Sequence, residues 1–228
     1  MTQEQQEIGE KLLVSLDDYL SNGVHVGLKY KSADMAPFIY KIRQDKLCVF
    51  DVQKIDERLR LAAKFISSYE PEDVLVVSNR VYGRKPSRKF AQALGFKTFK
   101  DRFVSGTLTN PNIETYVEPK LLIVTDPTSD VQAIKEAKKA GITVLAICDT
   151  NTRARDIDFI IPSNNKGKNS LALIYWVLSK EILGLRGVEN FDIPFEDFIS
   201  KAEPQPYLIT LQERAKAKRQ KKRRGKRR

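Results

Sequence analysis

The sequence is poor in the residues that carry most covalent and metal chemistry. It holds one histidine, two cysteines, two methionines and one tryptophan among 228 residues. Two cysteines, Cys48 and Cys148, each inside an apolar run, are too few for a disulfide framework and read as buried reduced thiols, which points to a cytoplasmic setting. With a single histidine they also make no zinc-type ligand set. His25 lies between valines in GVHVG and reads as a structural residue. Long hydrophobic runs are missing too. The longest apolar candidate, NSLALIYWVLS between Lys168 and Lys180, is eleven residues, short of the roughly 20 that a membrane-crossing helix requires. The opening MTQEQQEIGE is polar and acidic, unlike a signal or transit peptide.

Nucleotide-binding glycine motifs are absent as well. No GxGxxG follows any apolar run. The loop IPSNNKGKNS (161–170) contains Gly167-Lys168, but Asn169 follows where a phosphate loop has Ser or Thr, and Pro162 stands where it has its first Gly. What remains there is an Asn- and Lys-rich turn leading into a helix, a type of segment that can bind phosphate through free N–H groups.

Against these absences stands an unusual distribution of charge. The chain carries 40 Lys+Arg and 29 Asp+Glu, a net +11. Eleven of the basic residues fall in the last fifteen, RAKAKRQKKRRGKRR: Arg214, Lys216, Lys218, Arg219, Lys221, Lys222, Arg223, Arg224, Lys226, Arg227 and Arg228. The other 213 residues carry 29 charges of each sign. A block of like charge repels itself into an extended arm and finds its partner in a polyanion. A second basic stretch lies in the body. Residues 80–102 contain Arg80, Arg84, Lys85, Arg88, Lys89, Lys97, Lys100 and Arg102 against Asp101 alone, with Tyr82, Phe96 and Phe99 interleaved. Clustering of this kind, together with the tail, favours contact with a polyanion over an ordinary solvated helix face.

The apolar pattern indicates the fold. LCVFD (47–51), VLVVS (74–78), LLIVT (121–125), ITVLAI (142–147) and DFIIP (158–162) are near-continuous apolar runs, as expected of parallel strands covered on both faces. Helical periodicity follows most of them: Ile55 to Ile66, SRKFAQAL before Gly95, VQAIKEAKKA before Gly141, and Leu171 to Ile182. A further helix with Ile8, Leu12, Leu16 and Leu20 precedes them. Alternation of this kind predicts an α/β domain over 1–187 with a doubly wound, mostly parallel sheet and helices on both faces. Residues 188–213, with Pro194, Pro204 and Pro206 among Phe191, Phe195, Phe198 and Tyr207, read as an extended strap packed on the body or on a neighbour. Residues 214–228 read as a disordered basic tail. At the carboxyl ends of the strands, Asp126 and Asp149 sit on a polar rim where open α/β sheets bind ligands. A sugar-phosphate or nucleotide enzyme using them as acid and base is therefore the competing reading. The same residue types also serve simply as caps and turn formers.

More specific are the runs GVHVG (23–27), DRFVSGTLTNP (101–111), EPKLLIVTDP (118–127) and CDTNTRARDIDFIIPSNNKGKNSLALIYW (148–176), together with the spacing Asp126, Asp130, Ile134, Glu136, Gly141-Ile142. In this order they resemble the universal small-subunit ribosomal protein family, called S-two in bacteria and ribosomal protein SA or laminin-receptor precursor in animals. The matches run from about residue 12 to residue 187. The resemblance implies a flavodoxin-like domain without catalytic residue, cofactor or metal. It implies binding to ribosomal RNA near the junction of head and body of the small subunit, and contact with other ribosomal proteins rather than with a membrane or a small-molecule substrate. Asn110 leads within about ten residues to LLIVT, so the helical hairpin that bacterial members insert there is missing. So is the long acidic extension of the animal protein, and the chain looks archaeal. Together, charge and resemblance nominate as RNA-binding residues Arg80, Arg84, Lys85, Arg88, Lys89, Arg102, Arg153, Arg155, Lys166, Lys168 and the eleven tail cations.

Overall fold

A computed structural model describes residues 12–99, 102–188 and 192–201. The expected α/β architecture is present. Strands β3 (Val74–Val77), β4 (Lys97–Thr98), β5 (Leu121–Val124), β6 (Thr143–Cys148) and β7 (Phe159–Pro162) form one sheet in the order β4-β3-β5-β6-β7, every neighbouring pair parallel. Counted within the sheet, this is the flavodoxin-like order 2-1-3-4-5. The apolar runs become its interior because both faces are covered: every residue of β3 and β5 is buried.

The first apolar run behaves differently from expectation. Residues 48–50 form β2 (Cys48–Phe50), which pairs antiparallel with β1 (Ile39–Ile42) in a separate two-stranded ribbon. An apolar run specifies burial, not the sheet that provides it. The fifth parallel strand is instead β4, whose Lys97 and Thr98 hydrogen-bond beside Leu75 and Val76. Two polar residues at an edge carry no hydrophobic signature.

Helices α1 (Leu16–Ser21), α2 (Val52–Ser67), α3 (Val81–Leu94), α4 (Val131–Ala140) and α5 (Lys168–Leu185) complete the domain. Gly95 and Gly141 end α3 and α4 in left-handed conformations, φ 74° and 70°, where a Cβ would be strained. From the β3–β5 pair, one crossover moves outward to β4 through α3 and another moves the opposite way to β6 through α4. Right-handed crossovers in opposite directions place α3 and α4 on opposite faces. Helix α5 packs between α2 and α3, and Leu171, Ala172, Ile174, Tyr175 and Leu178 are fully buried there. No helix among the described residues is long and apolar enough to cross a membrane.

Helix α3 starts at Val81, six residues before the periodic stretch SRKFAQAL, and runs through Pro86. A proline there forfeits one helical hydrogen bond. The burial of Gly83, Pro86, Ser87 and Phe90 holds the turn nevertheless. A Cβ on Gly83 would lie 2.4 Å from Ser78 Oγ and 2.8 Å from Thr125 Cγ2, so only glycine lets α3 sit this close to the strand ends. Beyond α5, residues 192–201 lie on the body. The Trp176 indole N–H donates to the Ile193 carbonyl at 3.1 Å, Phe195 meets Trp176 edge-on, and Phe198 is fully buried. Phe191 and the tail lie outside the described residues.

Candidate nucleic-acid interface

The carboxyl ends of the parallel strands gather Ser78-Asn79-Arg80, Thr125-Asp126, Cys148-Asp149 and Pro162-Ser163-Asn164-Asn165-Lys166 along one crest. The Arg80 guanidinium Nε donates to Asp126 Oδ2 at 2.7 Å, and the same oxygen accepts from Ser129 Oγ at 2.7 Å. Asp126 Oδ1 accepts from the Thr128 N–H at 3.0 Å and from Asn165 Nδ2 at 3.3 Å. Burial pushes this carboxyl's pKa up, but the Ser129 hydroxyl, the Arg80 charge and the Thr128 N–H outweigh it and hold the group below the usual range. Asp149 is buried with Lys166 Nζ at 3.1 Å from its Oδ2, and its Oδ1 accepts from the Thr150 N–H at 2.6 Å. The two acids of the competing enzyme reading are thus each neutralised by a protein cation.

Four cations predicted to touch RNA have partners inside the protein: Arg80 on Asp126, Lys166 beside Asp149, Lys85 on the Ile199 carbonyl at 2.9 Å, and Lys89 on Asp197 at 3.3 Å. The last two fasten residues 192–201 to α3. Arg84 is half-buried, with Nη2 3.4 Å from Asn79 Oδ1, while the Nε atoms of Arg84 and Arg88 are buried without a hydrogen-bond partner among the described residues.

A second set faces outward. Arg102, Arg153, Arg155 and Lys168 are all exposed. Arg102, Arg153 and Lys168 make no ion pair among the described residues. Arg155, 85% exposed, has only a 3.8 Å approach to Asp156, a carboxylate that also pairs with Lys138. Arg153 and Arg155 border a cleft of about 560 Å³ between the first turns of α4 and residues 151–156, with Lys135 on its other wall. Beneath the cleft the buried Thr152 hydroxyl lacks a partner among the described residues. Three cations and the amino end of a helix suit a phosphate.

Two further acidic residues shape the site. Glu136 is 3% exposed, and its carboxylate accepts from the Gly106 N–H at 2.8 Å, the Leu108 N–H at 3.3 Å and the Ser105 hydroxyl at 3.2 Å. It thereby ties the GTLTN turn to α4. Asp130, also 3% exposed, accepts from the Asn79 N–H through Oδ1 at 3.0 Å, while Oδ2 has no partner among the described residues. Burial, with the nearby charge of Asp126, pushes its pKa up to about 7 against the Asn79 N–H. Both acids belong to the spacing that carried the family resemblance, but sequence alone gives neither their burial nor their contacts.

Comparison with known proteins agrees with this arrangement of fold and charge. The family model described as ribosomal protein S2 matches residues 19–118 and 113–184. The two matched segments meet at residues 113–118, where bacterial members insert their helical hairpin. The small ribosomal subunit protein uS2 of Methanococcus maripaludis strain C6 is 50% identical over 195 residues, covering 85% of this chain and 88% of that protein. Its counterpart in strain C5 is 48% identical over 195 residues, covering 85% and 89%. This chain belongs to the ribosomal protein S2 family, as an archaeal-type member of a family of structural proteins and not of enzymes.

Proposed function

We propose that the protein is a structural component of the small ribosomal subunit that binds ribosomal RNA near the junction of head and body and contacts neighbouring ribosomal proteins. The observation that carries the RNA contact is the outward set of cations, Arg102, Arg153, Arg155 and Lys168, displayed around the strand ends of a body with no net charge outside its last fifteen residues. Positive charge on a neutral body attracts a polyanion only where it is not already neutralised. The tail, Arg214 to Arg228, supplies a further eleven cations. Arg80, Lys85, Lys89 and Lys166 serve phosphate only by exchanging a protein partner, whereas Arg84 and Arg88 lie between the two sets. Phosphate contacts of this kind set position and affinity rather than sequence preference.

Sedimentation of a cell lysate at low salt tests the reading. The protein is expected to travel with the small subunit, and a protein that stays at the top of the gradient contradicts it. Removing residues 214–228 is expected to flatten the slope of log affinity against log salt by about 4, as roughly half of the tail cations release counterions.

A further inference from the structure

The cavity at the topological switch point has features that the phosphate-contacting cations do not explain. It occupies about 300 Å³ beside the ends of β3 and β5, the pair from which the crossovers diverge, and Asn79, Arg102, Phe103, Ser105, Asp130 and Gln132 are among its lining residues. That volume is at the small end of ligand sites, which span about 300–1,000 Å³. One wall holds the buried Asp130 carboxylate, whose Oδ2 lacks a hydrogen-bond partner among the described residues. An unsatisfied buried carboxylate oxygen is costly; Oδ2 is itself shielded from solvent, and a rotation of the Asp130 side chain toward the cavity it lines brings it to a donor there. The Ser105 and Gln132 side chains are fixed by Glu136: Gln132 Nε2 donates to Glu136 Oε1 at 2.6 Å and to Ser105 Oγ at 3.0 Å. With its amide nitrogen committed, Gln132 has its carbonyl oxygen left to accept. Phe103 supplies a flat apolar surface braced edge-on by Phe99 at 6.0 Å. Arg102, exposed at the mouth, is a cation and a donor.

An aromatic face, a carboxylate acceptor, an amide acceptor and an arginine donor suit a flat heterocycle bearing an amine, with a phosphate outside. We infer that this cavity receives a single unstacked nucleobase with an exocyclic amine, guanine fitting best, supplied by single-stranded RNA. In this arrangement the guanine N1–H and amine donate to Asp130 Oδ2 and the Gln132 carbonyl. The ring lies on Phe103, and Arg102 reaches O6, N7 or the adjoining phosphate. Splayed-out bases stacked on aromatic rings and read on their edges are how proteins recognise RNA sequence. The site adds a base-reading contact to the phosphate contacts proposed above and rests on that reading for the source of the base. The same chemistry would accept the base of a free nucleotide.

Full-length protein titrated at pH 8, where Asp130 is ionised, with the pentanucleotides UUGUU and UUUUU, and with GMP and UMP, tests the inference. UUGUU is expected to bind at least about tenfold more tightly than UUUUU, because uracil offers the two acceptors a single ring N–H where guanine offers an N–H and an amine. Asp130→Asn keeps an acceptor for the Asn79 N–H but turns the free oxygen into a donor group, and is expected to abolish the preference. Phe103→Leu, which keeps the apolar volume, is expected to weaken UUGUU without restoring UUUUU. GMP binding as tightly as UUGUU, with UMP excluded, supports the base site and identifies a free nucleotide as its ligand. Equal affinity for UUGUU and UUUUU, unchanged by Asp130→Asn, overturns the inference. Salt-sensitive binding of both pentanucleotides in that case leaves the ribosomal RNA reading standing. Failure of the protein to bind any RNA counts against both.

Discussion

Two sets of cations near one crest differ in their partners. Arg80 and Lys166 are turned inward onto buried Asp126 and Asp149, and their charge is spent inside the fold. Arg102, Arg153, Arg155 and Lys168, drawn from the same sequence neighbourhoods, are exposed and face solvent. Local density of Lys and Arg therefore does not measure a binding surface. The partners decide, and they lie far off in the chain: 46 residues separate Arg80 from Asp126, and 114 separate Lys85 from Ile199. The inward set is expected to govern stability and the outward set affinity.

The largest stability effect is expected at the carboxylate that the inward set leaves unpaired. Asp130, with a pKa of about 7 in the fold against about 3.9 in an unfolded chain, holds its proton more tightly when folded. Its contribution is complete below about pH 4, declines as the pH rises and is lost beyond pH 7. Asp130→Asn fixes the neutral form and is expected to leave stability unchanged at pH 4 while raising it by up to roughly 4 kcal/mol at pH 8. Urea denaturation at the two pH values measures this, and a substitution neutral at both would mean that Asp130 titrates normally.

Next comes the inward pair itself. Asp126→Ala removes the acceptor of Arg80, Ser129, Thr128 and Asn165 at once. Breaking a buried ion pair from one side costs about 3 to 5 kcal/mol. Because the Arg80 side chain is 27% exposed and can turn toward water, the lower end, about 3 kcal/mol, is expected. A loss below about 1 kcal/mol in the same denaturation assay would place Asp126 with the solvent-facing groups.

A smaller effect is expected where α3 is seated. Gly83→Ala drives a methyl group against Ser78 and Thr125. Overpacking typically costs 1–3 kcal/mol, and the gain in helix propensity offsets part of it. A net loss of about 1 to 2 kcal/mol should appear as a lowered Tm. An unchanged Tm would show that the crest can move apart to admit the methyl.

The sheet was readable from sequence because four of its five strands are apolar runs that burial on both faces demands. The limits had physical causes. β4 is two polar edge residues. The run 47–51 went to a separate ribbon because hydrophobicity does not name a partner. The start of α3 at Val81 was hidden by Gly83 and Pro86, both poor helix formers, which tertiary packing tolerates. At the site, the residue types and their basic character were readable, while the division into inward and outward cations was not. The switch-point cavity was not readable either, since Asp130, Phe103 and Gln132 come together only through β5, α4 and the turn that Glu136 holds.

The division of cations is tested most directly by measuring salt-dependent RNA affinity and thermal stability on the same variants. Arg102→Gln, Arg153→Gln, Arg155→Gln and Lys168→Gln combined are expected to leave Tm nearly unchanged, since exposed charges contribute little to stability. They are expected to flatten the slope of log affinity against log salt by about 3, at roughly 0.7 to 0.9 per phosphate contact. Arg80→Gln is expected to do the reverse, lowering Tm with the slope intact. A full slope in the fourfold variant, or a flattened slope with an unchanged Tm in Arg80→Gln, would contradict the division.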